Sequence, residues 1–305
     1  MDIKNIIAAI SLSALVLILY SLFFVPPPPD LNEQKNKIEN TKNNSDISSP
    51  KIEKKVETKV ISRDSALDLS ERIKIENNNI IGSISLKGAI IDDLIFKKYT
   101  TELNSNQNVI LLNPNSIENG YFIESGWSTT NKNIELPNNS SIWTARGNNK
   151  LTPNNPVVLE WINKQGIIFT NTYQLDEKYL FKLNQKIENK SDSIVDFYPY
   201  AQIIRNIKPE VTNFYILHEG MLGVFDDELE EKDYDDIKEE KFTKNSVTGW
   251  LGITDKYWIT AIVPEKNKNF KSEFEYENRY KANFIITDPY ESKPNQIISN
   301  NIKIF

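Results

Sequence analysis

The chain has 305 residues, with 36 Lys and Arg against 42 Asp and Glu and a formal net charge of −6. This acidic balance argues against a nucleic-acid binder, which needs a basic face to neutralise phosphates. The sequence contains no Cys, which excludes disulfides, thiolate nucleophiles and Cys-based zinc sites but does not decide the cellular compartment. Neither glycine-rich nucleotide-binding motif, G-x-G-x-x-G or G-x-x-x-x-G-K-[ST], occurs in it.

The N-terminal segment is long and apolar enough to cross a membrane. Ile6 to Val25 carries no charged side chain, and a helix of that length spans roughly 30 Å, the thickness of the hydrocarbon core. The alternative is a cleaved signal peptide, whose apolar region is shorter and ends in a small-x-small site. Here the bulky residues Leu22 to Val25 precede Pro26. The sequence therefore predicts an uncleaved transmembrane anchor within residues 1–25.

The charges around this anchor do not fix its orientation. Lys4 is the only basic side chain before the anchor, whereas Lys35, Lys37 and Lys42 follow it. Positive charge normally marks the cytoplasmic side, but long domains are translocated largely regardless of such charges. The charge pattern alone leaves the side of the membrane open.

A polar spacer is predicted at residues 26–62, between the anchor and the folded region. Pro26 to Pro29 ends the helix and starts an extended exit. Asp30 to about Ser62 consists mainly of Lys, Glu, Asn and Ser and has no aromatic residue. Such a segment buries too little apolar area to offset the entropy of ordering, so we interpret it as a disordered tether rather than a binding arm.

Residues 63–305 have the pattern of an all-β domain. Short runs rich in Ile, Val, Phe, Tyr and Trp alternate with Asn, Gly and Pro, which is typical of strands joined by turns. Helical periodicity is nearly absent, apart from a turn near Ser65–Leu69. A dozen or more short strands predict one large antiparallel sandwich or barrel-like domain. The predicted strands are the runs within Ile80–Leu86 and Ala89–Phe96, then Val109–Leu112, Tyr121–Ile123, Val157–Trp161, Ile167–Tyr173, Leu180–Ile187, Ile194–Tyr200, Asn213–Leu217, Tyr257–Val263, Phe270–Tyr276 and Tyr280–Ile286.

The single histidine is the first candidate for chemistry. His218 lies beside Glu219, and such a pair can supply a general base near neutral pH. Nucleophilic catalysis also needs a nucleophile and an orienting partner, and no G-x-S-x-G motif accompanies the pair. A metal site usually needs further His or Cys ligands. A structural or hydrogen-bonding role for His218 is therefore the preferred interpretation.

Acidic side chains form two further candidates. Asp92 and Asp93 follow an apolar run, but adjacent strand residues point to opposite faces and converge only at a bulge. A turn or a hydrogen bond to backbone is therefore preferred over paired catalytic carboxylates. Asp226–Glu240 holds ten acidic residues in fifteen and is interpreted as a solvated loop, because like charges resist burial. A partner-docking patch or a loose divalent-cation site is the alternative.

Five tryptophans offer a carbohydrate-binding hypothesis. Aromatic rings line many sugar clefts, but Trp in an all-β domain more often packs in the core. The residues alone therefore assign no catalytic, cofactor-binding or metal-binding side chain. The tryptophans are Trp127, Trp143, Trp161, Trp250 and Trp258.

Five segments follow one another in a recognisable order. They are Gly82–Leu94 (GSISLKGAIIDDL), Val109–Pro114, Gly120–Trp127, Phe214–Gly220 with Gly223–Asp226, and Gly249–Trp258 (GWLGITDKYW) followed by Ala261 and Pro264. Together with the anchor, they resemble the N-terminal part of the bacterial YidC-type membrane-protein insertases. The resemblance covers roughly residues 1–30 and 63–305, and it is specific because the ordered set is matched rather than one pentapeptide.

The resemblance implies a fold, a location and a role. The family's periplasmic domain is a large twisted antiparallel β-sandwich of the galactose-mutarotase type, and fold similarity does not transfer sugar chemistry. The chain is then expected at the bacterial inner membrane, with its N-terminus in the cytoplasm and its main domain in the periplasm. The implied function is insertion, folding and assembly of inner-membrane proteins, without enzymatic activity. The implied partners are nascent inner-membrane proteins, the Sec translocon with its accessory membrane subunits and the lipid bilayer, with no nucleic acid and no cofactor.

The sequence departs from the family at its C-terminal end. In the family an amphipathic helix and five membrane helices follow the periplasmic domain and enclose a hydrophilic groove, whereas this sequence stops at Phe305. It is expected to be incomplete or truncated, and DNA beyond the Phe305 codon is expected to encode five further hydrophobic segments. The alternative function is an anchored periplasmic carbohydrate-binding or mutarotase-like sandwich that uses the tryptophans and His218.

Overall fold

The computed structural model describes residues 61–209 and 218–305. The predicted anchor, nearly all of the predicted spacer and the strand predicted at Asn213–Leu217 lie outside these residues. Within the described ranges, no helix is long and apolar enough to cross a bilayer. The described part is an antiparallel β-sandwich preceded by one short helix, which confirms the predicted fold class.

Helix α1 (Arg63–Leu67) opens the described part of the chain. Ser62 caps this helix, because its Oγ accepts a hydrogen bond from the backbone N–H of Ser65 at 3.2 Å. The bond satisfies one of the N–H groups that every helix start leaves unpaired. The helical turn predicted near Ser65–Leu69 is therefore present and begins two residues earlier.

Twenty strands and one further helix follow. In chain order they are β1 (Arg72–Glu76), β2 (Ile80–Ser85), β3 (Ile90–Thr100), β4 (Asn108–Leu112), β5 (Tyr121–Thr129), β6 (Thr144–Arg146), β7 (Lys150–Leu151), β8 (Val157–Ile162), β9 (Ile167–Leu175), β10 (Phe181–Asn189), β11 (Val195–Arg205), β12 (Gly220–Phe225), β13 (Glu228–Asp233), α2 (Tyr234–Glu239), β14 (Phe242–Ser246), β15 (Gly249–Thr254), β16 (Ile259–Val263), β17 (Phe270–Tyr276), β18 (Tyr280–Ile286), β19 (Tyr290–Ser292) and β20 (Ile297–Ile304).

The strands form two sheets. The larger sheet has eleven strands in the order β14-β17-β18-β11-β5-β3-β2-β1-β7, with β4 beside β3 and β19 beside β11. The smaller sheet has nine, in the order β13-β12-β15-β16-β20-β10-β9-β8-β6. Among the described strands, the short β1–β7 pair is parallel and the other pairings are antiparallel. This arrangement leaves β14 and β13 as neighbouring edge strands, one from each sheet.

Alternation of side chains builds the core between the sheets. Along β10, Phe181, Leu183 and Ile187 are buried in the core, whereas Lys182 between them is exposed. On the paired strand β20, Ile302 is buried opposite Leu183. Successive strand residues point to opposite faces, so each sheet contributes one apolar face. Burial of each large apolar side chain contributes about 1.5 to 3 kcal/mol to the free energy of unfolding.

The acidic segment Asp226–Glu240 is not the loop that was predicted. Most of its residues form β13 and α2, although most of its carboxylates are exposed as expected. Tyr234 and Ile237 are buried on one side of α2. A helix places these two apolar side chains on one side, where they are buried, and leaves its charged side chains on the solvent side. This is why the segment folds in spite of its charge.

Candidate functional site

The larger sheet has one face towards the core and one face away from it, here called the outward face. On β11, Ala201 and Ile203 belong to the core, so Gln202 between them points outward. Strand register places Gln202 between Glu124 of β5 and Asn283 of β18, and Asn283 opposite Glu273 of β17. Directly paired residues share a face. These four outward-pointing side chains therefore form one row across the sheet, here called the polar row.

Hydrogen bonds order the polar row. Gln202 Nε2 donates to Glu124 Oε2 at 2.7 Å, and Asn283 Nδ2 donates to the backbone oxygen of Glu273 at 3.2 Å. Gln202, Asn283 and Glu273 are buried although they point away from the core, because their strands lie inside the sheet between neighbours on both sides. The Oε1 atom of Gln202 finds no hydrogen-bond partner among the described residues. A buried acceptor without a partner is uncommon in folded proteins, which marks the row as a candidate site.

An ionic cluster lies beside the polar row. It consists of Lys241, Lys271, Lys281, Glu273 and Glu275. Lys241 Nζ lies 3.0 Å from Glu273 Oε1 and 3.0 Å from Glu275 Oε2, and Lys271 Nζ lies 3.0 Å from Glu273 Oε1. Lys281 is only 2 % exposed and pairs with Glu275. Every member therefore has an opposite charge within contact distance, as buried charges require.

The electrostatics of the ionic cluster favour its charged state. Burial opposes ionisation of Glu275, but Lys281 and Lys241 outweigh it and lower the pKa of that carboxyl below its usual value. Burial likewise opposes protonation of Lys241, but Glu273 and Glu275 outweigh it and raise the pKa of the ammonium group. Glu275 and Lys241 are thus both charged at neutral pH and form an ion pair rather than a proton-transfer site.

The structure corrects the interpretation of Asp92 and Asp93. Both lie inside β3 rather than in a turn, and both are buried. The register between β2 and β3 shifts at Ser83 and Ile84, so Asp92 is the extra residue of a β-bulge. The bulge brings together two carboxylates that a regular strand would send to opposite faces.

Two arginines bind these carboxylates. Arg72 pairs with Asp92, and Arg63 pairs with Asp93. Ser83 Oγ links the pairs, since it accepts from Arg72 Nε at 2.7 Å and donates to Asp93 Oδ2 at 2.5 Å. Burial raises the pKa of Asp92 despite the opposing effect of Arg72. Each carboxylate thus has its own guanidinium, so Asp92 and Asp93 do not form a catalytic dyad that shares one proton. The Arg63–Asp93 ion pair attaches α1 to the sheet.

A small recess opens beside the polar row. Its wall combines a carboxylate, amides, hydroxyls and one indole, and its size suits a bound water molecule rather than a larger ligand. Burial raises the pKa of the Tyr200 hydroxyl, which therefore stays protonated at neutral pH and acts as a donor. Trp143 Nε1 is buried without a partner among the described residues. The lining residues are Gly88, Glu124, Ser125, Pro137, Asn138, Asn139, Trp143 and Tyr200.

His218 lies away from this recess. Its Nδ1 is 3.1 Å from Asp233 Oδ1, and its Nε2 is 3.1 Å from the backbone oxygen of Met221. Both ring nitrogens are thus occupied by contacts within the β12–β13 hairpin. In the described ranges, three or more His, Asp or Glu side chains nowhere converge as a metal site would require.

The tryptophans do not converge on one cleft. Trp127 and Trp143 are buried in the core, and Trp161 and Trp258 pack against it from its edge. Trp250 is half-buried on β15. Only Trp143 of the five lines the recess, so the described structure gives little support to a tryptophan-lined sugar cleft.

Sequence reasoning missed the polar row and the ionic cluster. The β18 sequence YKANFII predicts one apolar face and one solvated face, with Lys281 and Asn283 on the solvated face. The sequence carried no signal for this, since only the strand order shows that β18 lies between β11 and β17, well inside the sheet. Polar side chains at such a position are covered by the side chains of both neighbouring strands.

Comparison with known proteins identifies the domain. Residues 72–305 match the family model described as the YidC periplasmic domain. The chain belongs to this family. The match extends from β1 to the end of the sequence, so both sheets are included in it.

Relatives of the YidC family align with all or nearly all of the chain. It is 50% identical over 307 residues to the membrane protein insertase YidC of Pelagibacter ubique, covering 100% of this chain and 54% of that protein. It is 37% identical over 292 residues to the membrane protein insertase YidC of Rickettsia bellii, covering 93% of this chain and 51% of that protein. The chain thus spans about half the length of the curated relatives that it matches.

The solved structures that are similar to this chain share far less sequence with it. A galactose mutarotase-like protein from Lactobacillus casei has a TM-score of 0.48 and 9% identity, covering 77% of this chain and 99% of that chain. A 4-alpha-glucanotransferase from Thermococcus litoralis has a TM-score of 0.42 and 11% identity, covering 81% of this chain and 39% of that chain.

Two of the segments that resemble YidC proteins contain a glycine where the neighbouring strand leaves no room for a side chain. A Cβ at Gly82 would lie 2.0 Å from the backbone oxygen of Asp93, next to the bulge. A Cβ at Gly249 would lie 2.0 Å from the backbone oxygen of Val224. These positions therefore specify strand packing rather than a binding site.

Proposed function

We propose that this chain is the N-terminal part of a membrane-protein insertase of the bacterial inner membrane. In this proposal Ile6–Val25 is a transmembrane anchor with its N-terminus in the cytoplasm, residues 26–62 are a spacer, and residues 63–305 form a periplasmic domain. The observation that carries the proposal is the family match over residues 72–305, supported by 50% identity along the whole chain to a relative named as an insertase.

The proposed role of the domain is docking, not catalysis. Its clients are nascent inner-membrane proteins, and it acts with or beside the Sec translocon. Moving one charged group into hydrocarbon costs roughly 2.5 to 3.5 kcal/mol on insertion scales, and an insertase lowers this cost for its clients. Structural contacts engage the side chains that were candidates for catalysis, which supports a non-enzymatic role. Asp92 and Asp93 are each paired with an arginine, and both ring nitrogens of His218 contact the β12–β13 hairpin.

A domain exchange tests this proposal. Residues 1–305 replace the aligned half of the Pelagibacter ubique relative, and the chimera is expressed in bacteria depleted of their own YidC. We expect the chimera to restore insertion of a reporter membrane protein, measured by protease protection of the reporter. A matched control carries an unrelated β-sandwich in place of residues 63–305, and it tests whether the domain itself contributes.

Two outcomes would contradict the proposal. A chimera that accumulates in the membrane like the relative but restores no insertion argues against an insertase role. Equal rescue by the control shows that the domain adds nothing to insertion. The carbohydrate-binding alternative is not favoured, since the relatives are insertases; sugar binding by the full chain that His218→Ala abolishes would revive it.

A further inference from the structure

One end of the sandwich carries a cluster of aromatic rings. The Trp258 ring lies 4.4 Å from the Phe96 ring and 4.7 Å from the Tyr99 ring, measured between centroids. The Tyr179 ring lies 5.8 Å from the Phe96 ring. The cluster joins the β3–β4 hairpin to the β15–β16 turn and the β9–β10 loop. It therefore holds turns from both sheets together at this end.

Large apolar side chains project from this cluster into solvent. Leu103 at the tip of the β3–β4 hairpin is 96% exposed, and Tyr257 in the β15–β16 turn is 73% exposed. Tyr99 is 44% exposed and Ile259 is 40% exposed. Single exposed apolar side chains are common, but a group on adjoining turns marks a contact surface. We call Tyr99, Leu103, Tyr257 and Ile259 the aromatic tip.

The last strand runs towards the aromatic tip. Directly after β20, the backbone of Phe305 exchanges two hydrogen bonds with Ala261, at 3.0 and 2.9 Å. Paired residues share a face and alternate residues return to it, so Phe305 and Ile259 lie on the same side of the smaller sheet. Phe305 therefore places a further apolar side chain on the face of the smaller sheet that carries Ile259.

Charges at this end are nearly balanced. Lys98, Lys178 and Lys256 are exposed, as are Glu102 and Glu177. Lys256 Nζ also lies 5.0 Å from the centre of the Tyr257 ring. Tyrosine, tryptophan and lysine beside a projecting leucine are the residues that settle at the boundary between lipid headgroups and acyl chains. With charges this balanced, apolar insertion rather than charge attraction is the expected source of binding.

The length of chain before the domain keeps a bilayer within reach. The predicted spacer at 26–62 has 37 residues, and a flexible chain of that length has an end-to-end distance of about 35 Å. A tether of this length keeps the domain at a high effective concentration near the membrane, because contact is then intramolecular. A small apolar tip is therefore sufficient for binding. The domain lies near a bilayer only if Ile6–Val25 is a transmembrane anchor, as the proposed function states. The inference rests on the proposed function in this respect alone.

We propose that the aromatic tip inserts into the interfacial region of the lipid bilayer and sets the orientation of the domain on the membrane. The occupant of this surface is lipid rather than a second copy of the chain or a protein partner. Leu103 and Tyr257 penetrate deepest because they are the most exposed, while Tyr99 and Ile259 lie at headgroup level.

The absence of Cys in the chain permits a direct test by site-specific labelling. Leu103→Cys, Tyr257→Cys and the control Leu229→Cys each receive one fluorescent label. Leu229 is 58% exposed on β13 and pairs with Val224 beside Gly249, at the opposite end of the smaller sheet. The full-length variants are reconstituted into phosphatidylcholine vesicles that contain a nitroxide-labelled quencher lipid.

We expect the labels at positions 103 and 257 to be quenched at least threefold more than the label at 229. Adding Leu103→Asp to the Tyr257→Cys variant should lower quenching at 257 at least threefold, whereas adding Leu229→Asp should not. Replacing part of the phosphatidylcholine by phosphatidylglycerol should change quenching less than twofold, since the tip is nearly neutral.

Several results would overturn the inference. Equal quenching at all three positions, or none at 103 and 257, excludes insertion of the tip. A label environment that becomes apolar in detergent as protein concentration rises indicates a second copy of the chain instead. Failure of the chimera to restore insertion would remove the proposed function without affecting the quenching pattern, so the two outcomes are distinguishable.

Discussion

At the residue scale, the pair formed by Lys281 and Glu275 illustrates the cost of burying charge. Lys281 is 2 % exposed, so Glu275→Gln leaves an ammonium group buried without its nearest anion. Such a loss typically costs 3 to 5 kcal/mol, and we expect about 3 kcal/mol at neutral pH. Urea unfolding of the full chain in detergent, followed by tryptophan fluorescence, measures it. The control Glu291→Gln breaks an exposed pair with Lys293 and should cost less than about 1 kcal/mol.

The same pair predicts a pH dependence. The pKa of Glu275 lies below the ordinary value of 4.5, so its stabilising effect is complete above that pH and is lost as pH falls through the lowered pKa. Below this lowered pKa, the protonated carboxyl of the wild type is uncharged, like the amide of the Glu275→Gln variant. The difference in unfolding free energy should therefore shrink in acid, and an equal difference at about pH 3 and pH 7 would contradict this assignment.

Gly249 provides a second test at a single residue. Its φ is +142°, and a Cβ would lie 2.0 Å from the backbone oxygen of Val224. Gly249→Ala combines backbone strain with a steric clash, so we expect a loss of about 2 to 4 kcal/mol in unfolding free energy. Gly147 has φ +83° and open space around it, so Gly147→Ala should cost about 1 kcal/mol. Equal losses in the same unfolding assay would show that packing against Val224 is unimportant.

At the scale of elements, the acidic strand β13 occupies an edge of the smaller sheet. Lys244 of β14 lies 2.6 Å from Glu228 and 3.1 Å from Glu230, so ion pairs connect the edge strands of the two sheets. Exposed edge strands tend to pair with other chains, and charged side chains prevent this. We therefore expect the acidic residues of β13 to oppose pairing with another chain at this edge, while Lys244 holds β13 against β14.

Neutralising this edge should promote self-association. The triple variant Glu228→Gln, Glu230→Gln and Glu231→Gln is expected to raise the oligomeric fraction severalfold in size-exclusion chromatography with light scattering. Unfolding free energy should change by less than about 1 kcal/mol, because the lost pairs are largely exposed. The same change in charge at three exposed loop positions serves as the control, namely Glu118→Gln, Glu135→Gln and Glu277→Gln. Equal association of both variants would assign the effect to net charge rather than to the edge.

Strands with apolar alternation were predicted well from the sequence. Phe270–Tyr276 and Tyr280–Ile286 coincide with β17 and β18, and Val157–Trp161 lies within β8. Strands poor in that pattern were missed, such as the charged β13 and the asparagine-rich β20 (Ile297–Ile304). Their pairing partners decide their conformation, and a single sequence does not display those partners.

At the scale of the whole molecule, the fold class followed from the sequence but the outward face did not. Alternation tells which residues leave the core, yet not whether they reach solvent. Gln202, Asn283 and Lys281 leave the core and are still buried, because neighbouring strands of a wide sheet cover them. The bulge at Asp92 was equally hidden, since only the register of β2 against β3 reveals it. The candidate site thus depends on long-range pairing.

The predicted boundary between spacer and domain can be tested on the full chain. The described domain begins at a capped helix that Arg63 attaches to the sheet through Asp93, whereas residues 26–62 have a composition that buries little apolar area. Limited proteinase K digestion should therefore cut first between residues 30 and 60 and leave a resistant fragment that retains α1, identified by mass spectrometry. Arg63→Ala frees α1, so the start of the resistant fragment should move towards Arg72, where β1 begins. First cuts inside residues 72–305, or an unchanged fragment in the variant, would contradict this boundary, because paired strands protect their backbone until they open.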